Sequence, residues 1–201
     1  VIKKVGTPVF IYSKKYFTSQ YSLIQNAFKD IDHKIFFSAK SNYNLNVINI
    51  FSSLGAGVDV NSEGELYRAA KAGVDAKEII FSGVGKTEDE IVTAVKAGVY
   101  SVKVESEEEV KIINEVGKKL GIKVNITLRV NPDADAEAPP YISTGLSENK
   151  FGLENSSVIE LVKKQKTFKN ISLSGLAMHI GSQILSAHPY KEAVEKLADL
   201  F

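Results

Sequence analysis

The sequence contains no cysteine, and this absence removes whole classes of chemistry. Disulfide bonds, thiolate catalysis and cysteine-based zinc sites are excluded, and the composition fits a reducing compartment. The two signs of charge nearly cancel, with 25 Lys and Arg against 24 Asp and Glu. No global field therefore draws the chain to nucleic acid or to an anionic membrane. We expect a cytoplasmic protein with neither of these as a partner.

The chain also lacks any long apolar run. No stretch approaches about 18 apolar residues, the length that indicates a membrane helix, and the start at Val1 has no apolar signal-peptide core. The first residue is Val1 rather than Met, so we expect the natural N-terminus to be trimmed or not shown. A hydrophobic content of 44% is ordinary for a globular protein and provides a core.

Short apolar runs alternate with longer segments of helical spacing. The runs lie at about 35–39, 56–60, 78–82, 99–104, 124–130 and 172–178. They predict a series of βα units, with an insertion before the last strand. Capping boxes are predicted at Ser62–Glu65, Thr87–Glu90 and Ser106–Glu109, where a hydroxyl and a carboxylate lie three residues apart. The pattern favours an α/β fold, a (β/α)8 TIM-type barrel that is incomplete, with an open doubly wound sheet as the alternative.

The chain divides near residue 30. Residues 31–201 form the predicted barrel, and residues 1–30 lead into it. Within that leader, Pro8–Tyr12 reads as a strand of a second, β domain, and Lys14–Phe28 reads as a helix. Because the chain stops inside the helix after the last strand, we expect a truncated barrel and an absent C-terminal β domain.

Polar side chains follow the predicted strands. In a barrel the C-terminal strand ends converge on one site, and here they carry Lys40, Asp59, Ser82, Glu105, Arg129 with Asn131, and His179. An amine at the end of an apolar strand is expected to be partly desolvated, which favours the neutral nucleophile that forms Schiff bases with aldehydes. Structural interpretations stay open: Asp59 as a helix cap, Arg129 as the partner of a wall carboxylate, and His179 as a core histidine.

Two other motifs are incomplete. Ser82–Thr87 ends like a phosphate-binding P-loop, but Ile80 occupies the position of its first glycine, and the third glycine of a dinucleotide fingerprint is also missing. The three histidines, His33, His179 and His188, lack metal-ligand spacing. Neither a nucleotide site nor a metal site is predicted.

Several longer motifs occur together and in order. They are Phe37–Asn42, Gly57–Leu66, Arg129–Pro132, Tyr141–Gly145, Lys150–Gly152 and His179–Ile184. With these motifs the chain resembles the diaminopimelate decarboxylase family, from about Thr7 to Phe201. Members of that family are pyridoxal phosphate (PLP) enzymes with an alanine-racemase-like barrel. The chain departs from the family pattern at Ser41 and Glu63, neither of which removes a reacting group. At Pro139 the family often has a histidine, and any contact made by that histidine is lost.

The resemblance implies a role for each site residue. Lys40 would bind PLP covalently and act in catalysis with His179, which would stack on the cofactor ring. Ser182 would bind the phosphate, and Asp59 and Arg129 would line the pocket. Lys150 has no settled role.

The resemblance also implies the reaction and the assembly. The expected reaction converts meso-2,6-diaminopimelate to L-lysine and CO2, the last step of lysine biosynthesis, in a homodimer of the full-length protein. The alternatives are another PLP barrel decarboxylase of the ornithine, arginine or carboxynorspermidine type, a racemase, and a non-catalytic fragment.

Overall fold

A computed structural model of the protein describes residues 1–131 and 151–200. The strands are β1 (Phe36–Ser38), β2 (Gly57–Val60), β3 (Ile79–Phe81), β4 (Ser101–Val104), β5 (Val124–Arg129) and β6 (Ile171–Ala177). The α-helices are α1 (Ile2–Val5), α2 (Lys14–Ala27), α3 (Leu45–Ser53), α4 (Glu63–Lys71), α5 (Glu88–Ala97), α6 (Glu107–Leu120), α7 (Asn155–Lys164) and α8 (His188–Ala198). Short 3₁₀ turns lie at Ala39–Ser41, Ala76–Glu78 and Gln165–Thr167.

The sheet is parallel, and its strands lie side by side in chain order, from β1 to β6. A doubly wound sheet reverses its strand order at a switch point, whereas a barrel wall does not. Since parallel crossovers are right-handed, an order that never reverses keeps the connecting helices on one face. The predicted incomplete barrel is therefore confirmed, and the open doubly wound alternative is wrong.

Side chains along each strand point alternately to the two faces of the sheet, and the two faces carry different kinds of residue. In β2, Val58 and Val60 are fully buried, while Asp59 between them lies on the opposite face. In β4, Val102 and Val104 are likewise buried on either side of Lys103. The valines join the apolar core between sheet and helices. The face without helices consequently carries the charged groups.

The helix starts differ in one respect from the prediction. Thr87 and Glu90 make a complete capping box at α5. At α4 and α6 the hydroxyl of Ser62 or Ser106 caps the helix, but the glutamate three residues on accepts a hydrogen bond from the main chain one residue before the cap. In two of the three predicted capping boxes the serine cap is confirmed, but the predicted hydrogen bond from the main-chain amide of the capping serine to the glutamate is wrong. Those glutamates instead tie the helix to the end of the preceding strand.

The leader to the barrel also differs from the prediction. Pro8–Tyr12 forms no strand, and Phe10 is 87% exposed. A strand needs a hydrogen-bonded neighbour, and no described segment pairs with this one. The strand predicted there is wrong for this structure, whereas the division of the chain near residue 30 and a second β domain stay predictions. The predicted helix is confirmed as α2.

Candidate active site

The helix-free face of the sheet opens into a cavity of about 610 Å³ at the carboxyl ends of the strands. Ligand sites in proteins have volumes of about 300–1,000 Å³. The lining comprises Ser38, Lys40, Asp59, Asn61, Ser82, Gly83, Val84, Lys103, Glu105, Arg129, Phe151, Met178 and His179. All the strand-end residues predicted from the sequence contribute to it, apart from Asn131.

Lys40 lies in the 3₁₀ turn that follows β1. The turn is held by two hydrogen bonds, from the Ser41 hydroxyl to the Ser38 carbonyl (2.7 Å) and from the Asn42 amide to the Ala39 carbonyl (3.0 Å). Lys40 itself is exposed. The partial desolvation predicted for this amine is wrong for this structure, because the side chain leaves the apolar strand at its end. The amine is instead open to a ligand that enters the cavity.

Asp59 shares the cavity lining with Lys40 and is held from three strands. Its carboxylate accepts hydrogen bonds from the hydroxyls of Ser38 (3.4 Å) and Ser82, and lies 3.7 Å from the ammonium of Lys103. These partners follow or belong to β1, β3 and β4. Asp59 is therefore no helix cap; it is a carboxylate of fixed orientation facing the cavity.

Arg129 and Glu105 form a buried ion pair on the other side of the cavity. Arg129 Nη1 donates to both carboxylate oxygens of Glu105 at 2.8 Å, and the two residues are only 9% and 8% exposed. The ring of Phe151 covers the guanidinium, with its centroid 5.7 Å from Cζ. Two charges buried in this way are stable only as a pair. The interpretation of Arg129 as the partner of a wall carboxylate is correct, and that carboxylate is itself part of the cavity.

His179 lies two residues after β6, half-buried at the cavity edge. Burial, reinforced by the positive charges of Lys40, Arg129 and Lys103, lowers the pKa of His179 to about 4. The imidazole is consequently neutral at neutral pH. A neutral, flat ring facing the cavity suits stacking against a planar ligand.

Two predicted residues are placed outside this cavity. Ser182 is exposed, three residues after His179, and does not line the cavity. Asn131 continues from β5 toward Leu153, to whose carbonyl its main-chain amide donates at 3.0 Å. Lys150 and the motif Tyr141–Gly145 lie outside the residues that the structure describes.

Lys103 is a charged cavity residue that the strand-end pattern does not predict. It lies inside β4 rather than after it, within a run that is otherwise mostly apolar. The signal was present: a lysine between two valines in a central strand has its side chain on the face opposite the core. The same rule locates Asp59 between Val58 and Val60. Phe151 and Met178 complete the lining and carry no such signal.

Comparison with known proteins identifies the family. The sequence model of the pyridoxal-dependent decarboxylases, pyridoxal binding domain, matches residues 14–201. The chain belongs to this family. It is 40% identical over 200 residues to the diaminopimelate decarboxylase of Pseudomonas aeruginosa, covering 100% of this chain and 48% of that protein.

Solved structures agree with this family. The diaminopimelate decarboxylase of Helicobacter pylori, complexed with L-lysine, matches 99% of this chain with a TM-score of 0.95 and 37% identity, over 50% of its own length. The enzyme of M. jannaschii, also with L-lysine, matches 98% with a TM-score of 0.89 and 35% identity, over 48% of its length. The chain thus spans about half the length of the relatives that it matches.

The cavity residues fit the cofactor of the pyridoxal-binding domain. An aldehyde needs an accessible amine, which Lys40 provides. An anionic phosphate favours a cationic surrounding, which Lys103 contributes beside Lys40. A planar ring favours a flat neutral partner, which His179 provides. No helix in the described ranges is long and apolar enough to cross a membrane, and no cluster of metal-ligating side chains occurs within them.

Proposed function

We propose that the full-length protein containing this chain decarboxylates meso-2,6-diaminopimelate to L-lysine and CO2, with PLP as its cofactor. The observation that carries this proposal is the convergence of Lys40, Asp59, Arg129 and His179 on one cavity. The substrate is supported by relatives at about 40% identity that are named diaminopimelate decarboxylases, and by two further diaminopimelate decarboxylases, 37% and 35% identical, whose structures contain L-lysine.

When bound, PLP supplies an electron sink for the electrons released as a carboxylate leaves as CO2. Lys40 would bind it covalently, because its side chain is exposed and lines the cavity. Once the amino group of the substrate has replaced it, the freed amine would move a proton at the substrate α-carbon after CO2 has left. Lys40 thereby holds the cofactor and serves as the acid–base group.

The remaining residues orient the reacting groups. His179 offers its neutral ring to one face of the cofactor. Asp59, fixed by two serine hydroxyls and by Lys103, contributes a carboxylate of fixed orientation to the cavity. Arg129, already neutralised by Glu105, acts as a rigid wall and hydrogen-bond donor rather than as a free charge. Preorganisation of this kind removes the need for side chains to reorder during the reaction.

The phosphate contact of Ser182 is also part of the proposal. Ser182 is exposed and follows the cavity residue His179 by three positions, so its hydroxyl is available to an anionic group. The homodimer and the cytoplasmic location stay predictions.

The substrate is tested by measuring CO2 release from the full-length protein with meso-diaminopimelate, ornithine, arginine and lysine at equal concentrations. We expect meso-diaminopimelate to react fastest, and L-lysine to be its product. A faster rate with ornithine or arginine would assign the cavity to another PLP barrel decarboxylase. Racemisation without CO2 release would overturn decarboxylation itself.

A further inference from the structure

We propose that Lys86 is a positioning residue of the cavity: it locks the loop between β3 and α5, which forms one cavity wall, to Glu109 and thereby to the Glu105–Arg129 pair on the adjacent wall. The proposal rests on the cavity being the cofactor site described above. Lys86 lies outside the lining and belongs to the stretch Ser82–Thr87, which resembles an incomplete P-loop.

Lys86 is buried, and the oxygens around it match its three N–H groups. Its side chain is 1% exposed. The ammonium donates to both carboxylate oxygens of Glu109, at 3.2 and 3.1 Å, and to the carbonyl of Gly83. Burial lowers the pKa of Lys86, while Glu109 and, less strongly, Glu105 act in the opposite direction. A buried ammonium with these contacts is a fixed structural point rather than a surface charge.

The Gly83 carbonyl links this point to the cavity wall. Gly83 has a φ of +96°, and a Cβ at this position would lie 2.9 Å from the Asn61 carbonyl oxygen. The loop therefore passes close over Asn61 in a conformation that only glycine adopts readily. Ser82, one residue earlier, donates to Asp59. A shift of the Gly83 carbonyl would move both Ser82 and the carboxylate that it orients.

Glu109 links the same point to the adjacent wall, at the end of β4. It lies in the first turn of α6, where its own amide is capped by the Ser106 hydroxyl at 3.2 Å. Its carboxylate accepts the main-chain amide of Glu105 at 2.8 Å. The side chain of Glu105 in turn holds Arg129. One ion pair thus fixes the strand ends of β3 and β4 relative to each other, and both ends line the cavity.

The test compares the cofactor affinity of the wild-type protein and the Lys86→Met variant, both full-length. Apoprotein is titrated with PLP, and the bound fraction is measured by absorbance and by borohydride capture. We expect binding to be about tenfold weaker in Lys86→Met, because displacement of positioning groups by about 1 Å has effects of this order or larger. Binding within twofold of wild type would overturn the proposal.

Lys119→Met is the matched control. Lys119 also joins α5 to α6, through Glu88 at 2.7 Å, but its side chain is 64% exposed and lies outside the cavity lining. The same substitution there is expected to leave PLP affinity unchanged. An equal loss in both variants would show a general effect of loosening the two helices and would overturn the positioning role.

The double variant Lys86→Met/Glu109→Gln separates positioning from folding. It removes both buried charges, so it is expected to fold even if the single variant does not, while the link between the walls stays broken. Weak PLP binding by the folded double variant supports the proposal, and wild-type affinity in it contradicts the proposal. A wild-type protein without PLP capture would overturn the proposed function and, with it, this role of Lys86. Normal capture with unchanged affinity in the variants would overturn only the role of Lys86.

Discussion

The buried pair Arg129–Glu105 gives the sharpest energetic prediction. Nη1 of Arg129 lies 2.8 Å from both oxygens of Glu105, and each residue is less than a tenth exposed. Removing one partner of such a pair leaves an uncompensated buried charge and costs about 3–5 kcal/mol. Glu105→Gln and Arg129→Met retain most of the side-chain volume, so no large cavity adds to this loss. We expect each variant to lose about 3 kcal/mol, the lower end of that range.

The double variant is expected to lose much less than the two single variants together. The neutral Gln–Met pair leaves no uncompensated buried charge, but the buried Gln amide lacks a partner, which costs about 1–3 kcal/mol. We therefore expect a loss of about 2 kcal/mol and, against two single losses of about 3 kcal/mol, a coupling energy of roughly 4 kcal/mol. The assay is native-state hydrogen exchange of the β4 and β5 amides in full-length apoprotein. It reports the free energy of opening for this part of the molecule without assuming two-state unfolding of the whole.

A surface pair provides the control for this cycle. Lys164 and Glu160 lie 2.9 Å apart, almost the same distance, but their side chains are 54% and 66% exposed. Water and salt screen exposed pairs, so the corresponding cycle should show far weaker coupling than the cycle at the buried pair. Additive losses at Arg129 and Glu105, or equal coupling in the two cycles, would refute the account of the buried pair.

Three further predictions concern the charges of His179 and Lys103 and the outer edges of the sheet. The folded pKa of His179 is about 4 against an ordinary 6.5, so the unfolded state binds more protons between these values and stability falls as the pH falls from 6.5 to 4. The full effect is at most roughly 3 kcal/mol, reduced by partial exposure to roughly 1–2 kcal/mol, and should disappear in His179→Gln when unfolding is followed against pH. Lys103→Met should weaken PLP binding by roughly 1 kcal/mol, about fivefold, and binding of pyridoxal, which lacks the phosphate, by less; equal losses would show that Lys103 does not act through the phosphate. The 201-residue chain expressed alone should self-associate in light scattering, because among the strands that the structure describes β1 and β6 each have one edge without a strand partner; a monomer at high concentration would contradict this.

The fold was largely predictable because its signals are local. The apolar runs that predicted the strands agree with the observed bounds within about two residues. For β2, β3 and β4 the local signals are clearest, since each is a largely buried run that is followed by a helix with a side-chain cap. The regular succession of one strand and one helix along the chain favoured a barrel. Pro8–Tyr12 carries the same local signal but forms no strand, because strand formation depends on a partner and not on propensity alone.

The sequence predicted which residues belong to the site better than it predicted the contacts between them. Strand-end position located Lys40, Asp59 and His179, but reading β4 as a uniform apolar run concealed Lys103. The tie between Lys86 and Glu109 joins residues 23 positions apart and depends on how the loop after β3 packs against α6. No periodicity in the sequence encodes such a contact.

The central claim is that Lys40 is the covalent anchor of PLP, and borohydride capture tests it most directly. The full-length protein is incubated with PLP, reduced, digested and mapped by mass spectrometry. The account predicts one reduced adduct, on Lys40, lost in Lys40→Ala and retained in Lys71→Ala, an exposed lysine outside the cavity. Because Lys40 is exposed, its replacement should change stability by no more than about 0.5 kcal/mol. An adduct that persists in Lys40→Ala, or that maps to another lysine in the wild-type protein, would contradict the claim.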